Sequence, residues 1–356
     1  MPAILKDVAE EAGLSPAAVS RHLNGTLELP EDTRKRIETA VRRLGYRPNL
    51  HARRLSLGRS ETITLIVPDI ANPFFAMLAA AVERSASARG MIVQLHATSN
   101  IEEREIAVLE LAADNRSDGV VFCTNRSPAA NVARAVSALP KAVILDETVP
   151  GVRAPKVFAD NAQGGYLAGR HLASWNHRKV AYLGGDPMLM STRLRAEGLH
   201  RGLREGSDGA EVSVRILSGR HDMLSGRALA AELLNADGDE TAVFVGSDEL
   251  AIGVIETLRE QDVRIPQDIS LVSFDGARAL HLYDPPITAI RQPVKRLGER
   301  AVEILLDGDW DDQSFPDLVE CLPVGLIERA SVGTPNIARG SGADQAFQPT
   351  IRSLTT

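Results

Sequence analysis

The chain has 356 residues, a formal net charge of −7 and two cysteines. No run of 18 apolar residues occurs, which excludes a membrane-spanning helix, and the charged, amphipathic N-terminus does not read as a secretory leader. Cys123 and Cys321 sit in apolar strand-like runs about 200 residues apart, and both are expected as reduced core residues of a cytoplasmic, nucleoid-associated protein. The length suits a small head followed by two domains of ordinary size.

The first elements are two short helices joined by a tight turn. Leu5, Val8, Ala9 and Ala12 recur at helical spacing. Gly13 supplies a left-handed stop. Ser15 then caps a second helix with Pro16 in its first position, where the missing N–H costs nothing. Ala18, Val19 and Leu23 face inward, leaving Pro16, Ala17, Ser20 and Arg21 on the outer face. A helix of this size fits the major groove of DNA, with its N-terminal residues at the base edges. A third helix opens at Pro30-Glu31-Asp32-Thr33 and runs to Leu44, with Ile37, Val41 and Leu44 on one stripe and Gly45 as its stop. Residues 1–60 carry 11 Lys and Arg against 7 Asp and Glu, so the head is net +4 and the remainder net −11. A basic head on an acidic body suits phosphate binding by one end alone.

From Thr62 the pattern changes to β-branched runs alternating with helices. Strands are expected at Thr62–Val67, Met91–His96, Gly119–Cys123 and Ala142–Leu145, with helices at Pro73–Arg89, Ile101–Asn115 and Ala129–Leu139. After Asp160-Asn161 the alternation repeats. Strands are expected at Val180–Leu183, Val212–Leu217, Ala242–Val245 and Ile269–Phe274, and helices at Ala162–Trp175, Ser191–Glu205, Asp222–Asn235 and Asp248–Gln261. The alternation predicts two doubly wound parallel-sheet subdomains with a cleft between them. Ligands of such folds sit at the carboxyl ends of the strands. There the sequence places Asp69, Phe74, Phe75, Asp146, Arg193, Arg195, His221, Ser247 and Asp275. Charged groups that grip hydroxyls and rings that cover C–H faces suit a sugar. Asp69, Asp248 and Asp160 equally suit helix caps, and Phe74 and Phe75 equally suit the core.

The succession Lys6-Asp7-Val8-Ala9, Ala12 to Asn24 (AGLSPAAVSRHLN), Glu31-Asp32-Thr33-Arg34, Leu44 to Asn49 (LGYRPN) and Val67 to Phe75 (VPDIANPFF) resembles the LacI/GalR family of bacterial transcription regulators. The resemblance implies an all-α helix-turn-helix head over residues 1–48 and a hinge helix with linker over 49–60. It implies a periplasmic-binding-protein-like α/β core over 61–330, leaving 331–356 as a disordered tail. It places Pro16, Ala17 and Arg21 on the recognition surface, where only Arg21 offers a bidentate contact to guanine. Lys6, Ser15, Ser20, Asn24 and Thr33 suit phosphate oxygens. Ile4 and Ala18 stand where the family usually has Thr, which removes two hydroxyls. Ala52, Arg53 and Leu55 fall on the hinge, with Leu55 as a wedge between base steps of the minor groove. The resemblance assigns effector contacts to Asp69, Phe75, Asp146, Arg195, His221, Ser247 and Asp275. It also implies a homodimer on a palindromic operator.

Arg126, with Arg193 and Arg195, hints at an anionic effector such as a sugar acid or sugar phosphate. Stacking on Phe75 leaves a purine-responsive, co-repressed regulator as the alternative. A sugar receptor without DNA function would lack the basic head. No nucleotide-binding glycine loop, nucleophile elbow or metal-ligand motif occurs, so neither an enzyme nor a cofactor or metal is expected.

Overall fold

In the computed structural model, which describes residues 3–24, 27–46, 60–114, 117–127, 130–236 and 238–336, the first unit is built on three helices. These are α1 (Leu5–Ala12), α2 (Pro16–Leu23) and α3 (Glu31–Leu44). Val8, Ala9, Ala12, Val19, Ile37 and Ala40 form its core, with Leu23, Leu44 and Tyr46 packed at the edge. Gly13 takes φ +62° after α1, and Ser15 caps α2 by accepting from the Ala18 N–H at 3.2 Å. Arg36 of α3 reaches back to the carbonyls of Ala12 and Gly13, so one cation of the basic run serves as a C-cap. The expected hinge, with Ala52, Arg53 and Leu55, lies outside the described residues.

The second unit begins at Thr62 and holds two six-stranded sheets. The first sheet has the order β11-β5-β4-β3-β1-β2 and is wholly parallel. Its strands are β1 (Thr62–Val67), β2 (Ile92–Ala97), β3 (Gly119–Cys123), β4 (Ala142–Leu145), β5 (Lys156–Ala159) and β11 (Val319–Leu322). Helices α4 (Pro73–Ser87), α5 (Glu102–Asp114) and α6 (Ala130–Ser137) connect the early strands. The second sheet has the order β12-β10-β9-β8-β6-β7, with only β12 (Gly325–Ile327) antiparallel. It comprises β6 (Lys179–Gly184), β7 (Ser213–Ser218), β8 (Ala242–Val245), β9 (Ser270–Asp275) and β10 (Thr288–Arg291). Helices α7 (Asn161–Ser174), α8 (Met190–Glu205), α9 (Met223–Asn235) and α10 (Asp248–Glu260) cover it. Strands β2, β7 and β9 begin one residue later than the sequence pattern suggests, and β6 extends one residue further at each end.

The two halves are not consecutive in the chain. Helix α11 (Val294–Asp307) follows β10 of the second sheet, yet Val294, Leu297, Ala301, Ile304 and Leu305 pack into the first subdomain's core beside Phe74, Leu78 and Val82. The chain therefore passes between subdomains near residues 160, 292 and 323. The alternation read from sequence stopped before this return and missed β5, β10, β11, β12 and α11.

Two further expectations need correction. Cys321 is exposed on the edge strand β11, whereas Cys123 is buried. Residues 331–336 are no part of a tail: Ser331 is fully buried, accepts from the Thr288 N–H at 2.8 Å and donates to the Leu271 carbonyl at 2.6 Å. His177 fixes Gly333 through Nε2 at 2.8 Å and meets Thr241 through Nδ1 at 2.7 Å.

Helices α7 and α8 touch through glycine. A Cβ at Gly165 would lie 2.1 Å from the Arg195 carbonyl, at Gly198 2.1 Å from that of Ala162, and at Gly202 2.2 Å from that of Tyr166. Backbone against backbone leaves no side chain to rotate away, so any added methyl must separate the helices. Gly202→Ala is expected to destabilise the protein by about 2 kcal/mol or more, read as a lower urea midpoint at unchanged slope. An unchanged midpoint would contradict this packing.

Candidate ligand cleft and nucleic-acid interface

The carboxyl ends of both sheets converge on a cleft of about 320 Å³ lined by Asn72, Phe74, Phe75, Asn125, Asp146, Ser191, Arg195, His221, Ser247, Asp275 and Gln292. Each side chain arrives from a strand end or the first turn of the helix after it, save Arg195, which comes from the second turn of α8. The backbone of such a turn must reverse sharply, and Asp146 and Asp275 do so with positive φ of 70° and 104°.

Arg195 is the only cation among the described lining residues. It is 4% exposed. Its Nε donates to Asn161 Oδ1 at 2.8 Å, its Nη1 donates to the Gly246 carbonyl, and its guanidinium lies 3.6 Å over the Phe274 ring. The glycine contact between α7 and α8 sets the depth at which it enters. Its Nη2 has no hydrogen bond among the described residues.

Carboxylates outnumber it. Asp275 accepts from Gln292 Nε2 at 2.6 Å and from the Asp248 N–H at 3.2 Å. Behind it, Asp248 accepts from the Ser273 hydroxyl and the Ala277 N–H, both at 2.5 Å. Burial holds both above the usual carboxylate range, and for Asp248 the charge of Asp275 adds to it. Asp146 makes no side-chain hydrogen bond among the described residues. Burial pushes it up to about 7, opposed by Arg195 and aided by Glu147 and Asp275.

His221 is held neutral, its pKa brought down to about 3 by burial and then by Arg195. The imidazole therefore does not titrate near neutrality. Its Nδ1 is buried without a partner among the described residues, as is Gln292 Oε1. His221 fits because residue 185 is glycine: a Cβ there would come within 2.2 Å of the ring. Phe74 and Phe75 meet edge to face at 5.0 Å and belong to the first subdomain's core while lining the cleft. Ser247 spends its oxygen on the α10 cap, accepting from the Leu250 N–H at 3.3 Å.

The structure does not bring Asp69 or Arg193 to the cleft. Asp69 is exposed, and its Oδ1 accepts from the Ala71 N–H at 2.9 Å; Asn72, not Asp69, caps α4. Arg193 lies two residues before Arg195, which on a helix is the opposite face. It is solvent-exposed and pairs with Glu197 at 3.7 Å. Arg126 is likewise withdrawn, paired with Glu102 at 2.9 Å and Glu105 at 3.3 Å.

Sequence reading also missed four contributors. Asn125, Ser191 and Gln292 line the cleft. Glu147 spans it: from the end of β4 it accepts from the Met190 N–H at 2.9 Å, the Ser191 N–H at 3.0 Å and the Ser191 hydroxyl at 2.8 Å. It thus caps, from the first subdomain, a helix of the second whose own N-cap, Leu189, offers no acceptor. Its position after Asp146 on a strand end was the one available signal.

In the head, Pro16, Ala17, Arg21 and Lys6 are exposed, Ser20, Asn24 and Thr33 half-buried, and Val19 fully buried. Ser15 spends an acceptor on its cap but keeps a hydroxyl proton for a phosphate oxygen. Ile4 offers no side-chain cap to α1; instead its own N–H donates to Asp7 Oδ2 at 2.9 Å. Lys35 and Arg43 are engaged with Glu31 and Glu11.

Comparison with known proteins matches residues 4–49 to bacterial regulatory proteins of the lacI family and residues 170–332 to a periplasmic binding protein-like domain. The HTH-type transcriptional repressor PurR of Vibrio atlanticus (strain LGP32) is 31% identical over 336 residues, 94% of this chain and 100% of that one. The lac repressor dimer bound to operator and the anti-inducer ONPF is similar in fold with a TM-score of 0.80 at 25% identity, covering 94% of this chain and 100% of that one. The regulator CelR in complex with cellobiose aligns with a TM-score of 0.67 at 25% identity, covering 92% and 99%.

Asp146 generates a prediction with a definite sign. An acid whose pKa is higher folded than unfolded holds its proton more tightly in the folded state, so its contribution to stability is lost as pH rises from about 3.8 to about 7. Ligand-free Asp146→Asn is expected to be more stable than the parent at pH 8, on the order of 2 kcal/mol. The difference should fade below pH 4. Thermal melts across pH check this; an Asn variant less stable at pH 8 contradicts it.

Proposed function

This chain belongs to the lacI family of bacterial regulatory proteins, and we propose that it is a sequence-specific DNA-binding repressor whose operator affinity is set by a small carbohydrate-type effector held in the cleft between its two sheets. The observation that carries the effector reading is the set of unspent polar groups around one clamped guanidinium. Asp146 accepts, neutral His221 Nδ1 can do either, and Arg195 Nη2 donates. An acceptor-rich cleft of this kind complements a ligand dense in hydroxyl groups. The cellobiose complex of the similar CelR supports a sugar.

A sugar acid or sugar phosphate loses the support it drew from Arg126 and Arg193, because both are engaged outside the cleft. A neutral carbohydrate is therefore the preferred class. A purine is the second reading, favoured by the PurR relative and by two phenyl rings in the lining. Phe74 and Phe75 are 5% and 2% exposed, however, which leaves little ring face for a base to cover.

For the head, the reading rests on an exposed Arg21 beside Pro16 and Ala17 on a helix whose inner face is closed by Val19. A homodimer supplies the second recognition helix for a palindromic site, as in the operator-bound lac repressor dimer. The chain acts by binding, not by turnover.

Two experiments test this reading. Thermal unfolding against neutral sugars, sugar acids, sugar phosphates and nucleobases is expected to give a hit among the neutral sugars, worth roughly 2.7 kcal/mol at 100 times the dissociation constant. A nucleobase hit with no sugar hit would replace it by the purine reading. Selected operator DNA is expected to bind Arg21→Ala about 10 to 100 times more weakly, given roughly 1–3 kcal/mol for a bidentate base contact. Unchanged affinity would remove the recognition-helix assignment.

A further inference from the structure

Beside the cleft lies a second, larger depression, a groove open to solvent and enclosing about 1650 Å³. It shares Asp275 and Gln292 with the cleft wall and otherwise runs between the end of β10, the turn after β9 and the start of α11. Its character is opposite to that of the cleft. Five cationic side chains, Arg278, Arg291, Lys295, Arg296 and Arg329, line it against three carboxylates, Asp275, Glu299 and Glu328.

Two of those carboxylates are already engaged. Asp275 faces Gln292 and the Asp248 N–H, and Glu299 lies 3.6 Å from Lys295 and 3.8 Å from Arg296. Glu328 reaches toward His171 at 4.0 Å. Arg278 and Arg291 have no ion-pair partner among the described residues. Arg329 is tied to the Ile287 carbonyl, and burial together with the Arg291 charge depresses its pKa. Gly276 lets the Arg291 backbone approach this closely: a Cβ there would come within 2.9 Å of the Arg291 Cα.

Helix α11 adds to the imbalance. It opens on Pro293 with no side-chain cap and no acid in its first turn. Lys295 and Arg296 follow instead, the sign opposite to the one a helix N-terminus prefers. Lys295 and Arg296 are answered by Glu299, and Arg296 also by Glu303 at 2.6 Å, but Arg278, Arg291 and Arg329, from separate segments, have no paired carboxylate among the described residues and repel one another. A further observation points to a bound molecule: Gln292 is 5% exposed, stands in the wall between groove and cleft, and has its Oε1 unpaired.

We propose that this groove is a second binding site, distinct from the effector cleft, that takes a small anion of the phosphate class through Arg278, Arg291 and Arg329. A guanidinium fork matches phosphate oxygens bidentately. A hydroxyl of a phosphorylated polyol donates to Gln292 Oε1. Because Gln292 Nε2 holds Asp275 at 2.6 Å, an occupant of the groove touches a residue that orients a cleft carboxylate.

The site stands independently of what the cleft binds. Calorimetric titration of the full chain at constant ionic strength, with sodium chloride as the balancing salt, tests it with inorganic phosphate, a hexose phosphate and the parent hexose. Saturable binding of a phosphate-bearing probe is expected, weakened about tenfold or more by Arg291→Glu and by Arg278→Glu. Neither arginine has a structural partner to lose, and both variants should melt like the parent. Binding of inorganic phosphate as tight as that of the hexose phosphate supports recognition of the anion alone; tighter binding of the hexose phosphate supports the Gln292 contact as well. Absence of saturable binding overturns the proposal. So does binding that survives both charge reversals but is lost in Arg195→Lys, which would place the anion in the cleft. A neutral-sugar shift that persists in Arg291→Glu would leave the effector reading standing whichever way the groove experiment falls.

Discussion

One buried guanidinium organises the regulatory core. Removing a cation from water is costly unless its donors are met, and Arg195 meets them with an amide oxygen, a carbonyl and an aromatic face. These partners come from three places: Asn161 at a crossing between subdomains, Gly246 at the end of β8, and Phe274 within β9. Arg195 can occupy that point only because glycines let α7 and α8 pack backbone to backbone. Displace α8, and the clamp, the cleft charge and the shape of the cleft all change together.

The surrounding charge follows from that placement. Asp146 and Asp275 lie near enough to Arg195 to feel it, yet burial dominates and raises both. A ligand that donates to Asp146 meets a half-buried acceptor that makes no side-chain hydrogen bond among the described residues. Glu147, the next residue, ties the first subdomain to the N-terminus of α8 in the second. On the proposed reading, the ligand contact and the tie between the subdomains therefore fall on adjacent residues. The coupling of such a cleft to DNA must be reciprocal: an effector that lowers operator affinity is itself bound more weakly, by the same factor, when operator is present.

Much of this was legible in sequence, because period and capping are local. The head reads correctly from Gly13, Ser15, Pro16 and Gly45. The strand ends that carry Asp146, Ser247 and Asp275 read correctly from β-branched runs. What failed was anything decided by side-chain direction or distant pairing. Arg193 and Arg195 look equivalent in a string, and the 100° step of the helix turns one to water and the other inward. Asp69 stands at a strand end, but a local hydrogen bond to Ala71 holds it there. Arg126 is neutralised by acids 21 and 24 residues away. Gln292 and the return of α11 to the first core depend on a crossing that periodicity cannot show. The fate of Ser331 depends on contacts 43 and 60 residues back along the chain.

The central claim is that a ligand held by Arg195 controls DNA binding by a separate head. The direct measurement is operator affinity, by fluorescence anisotropy on the full chain, with and without a cleft ligand at saturation, in the parent and in Arg195→Lys. The account predicts that the ligand changes operator affinity in the parent, and that the lysine variant binds operator with parental ligand-free affinity but no longer responds. A parent whose operator affinity ignores a ligand bound in the cleft, or a variant that responds as the parent does, would contradict it.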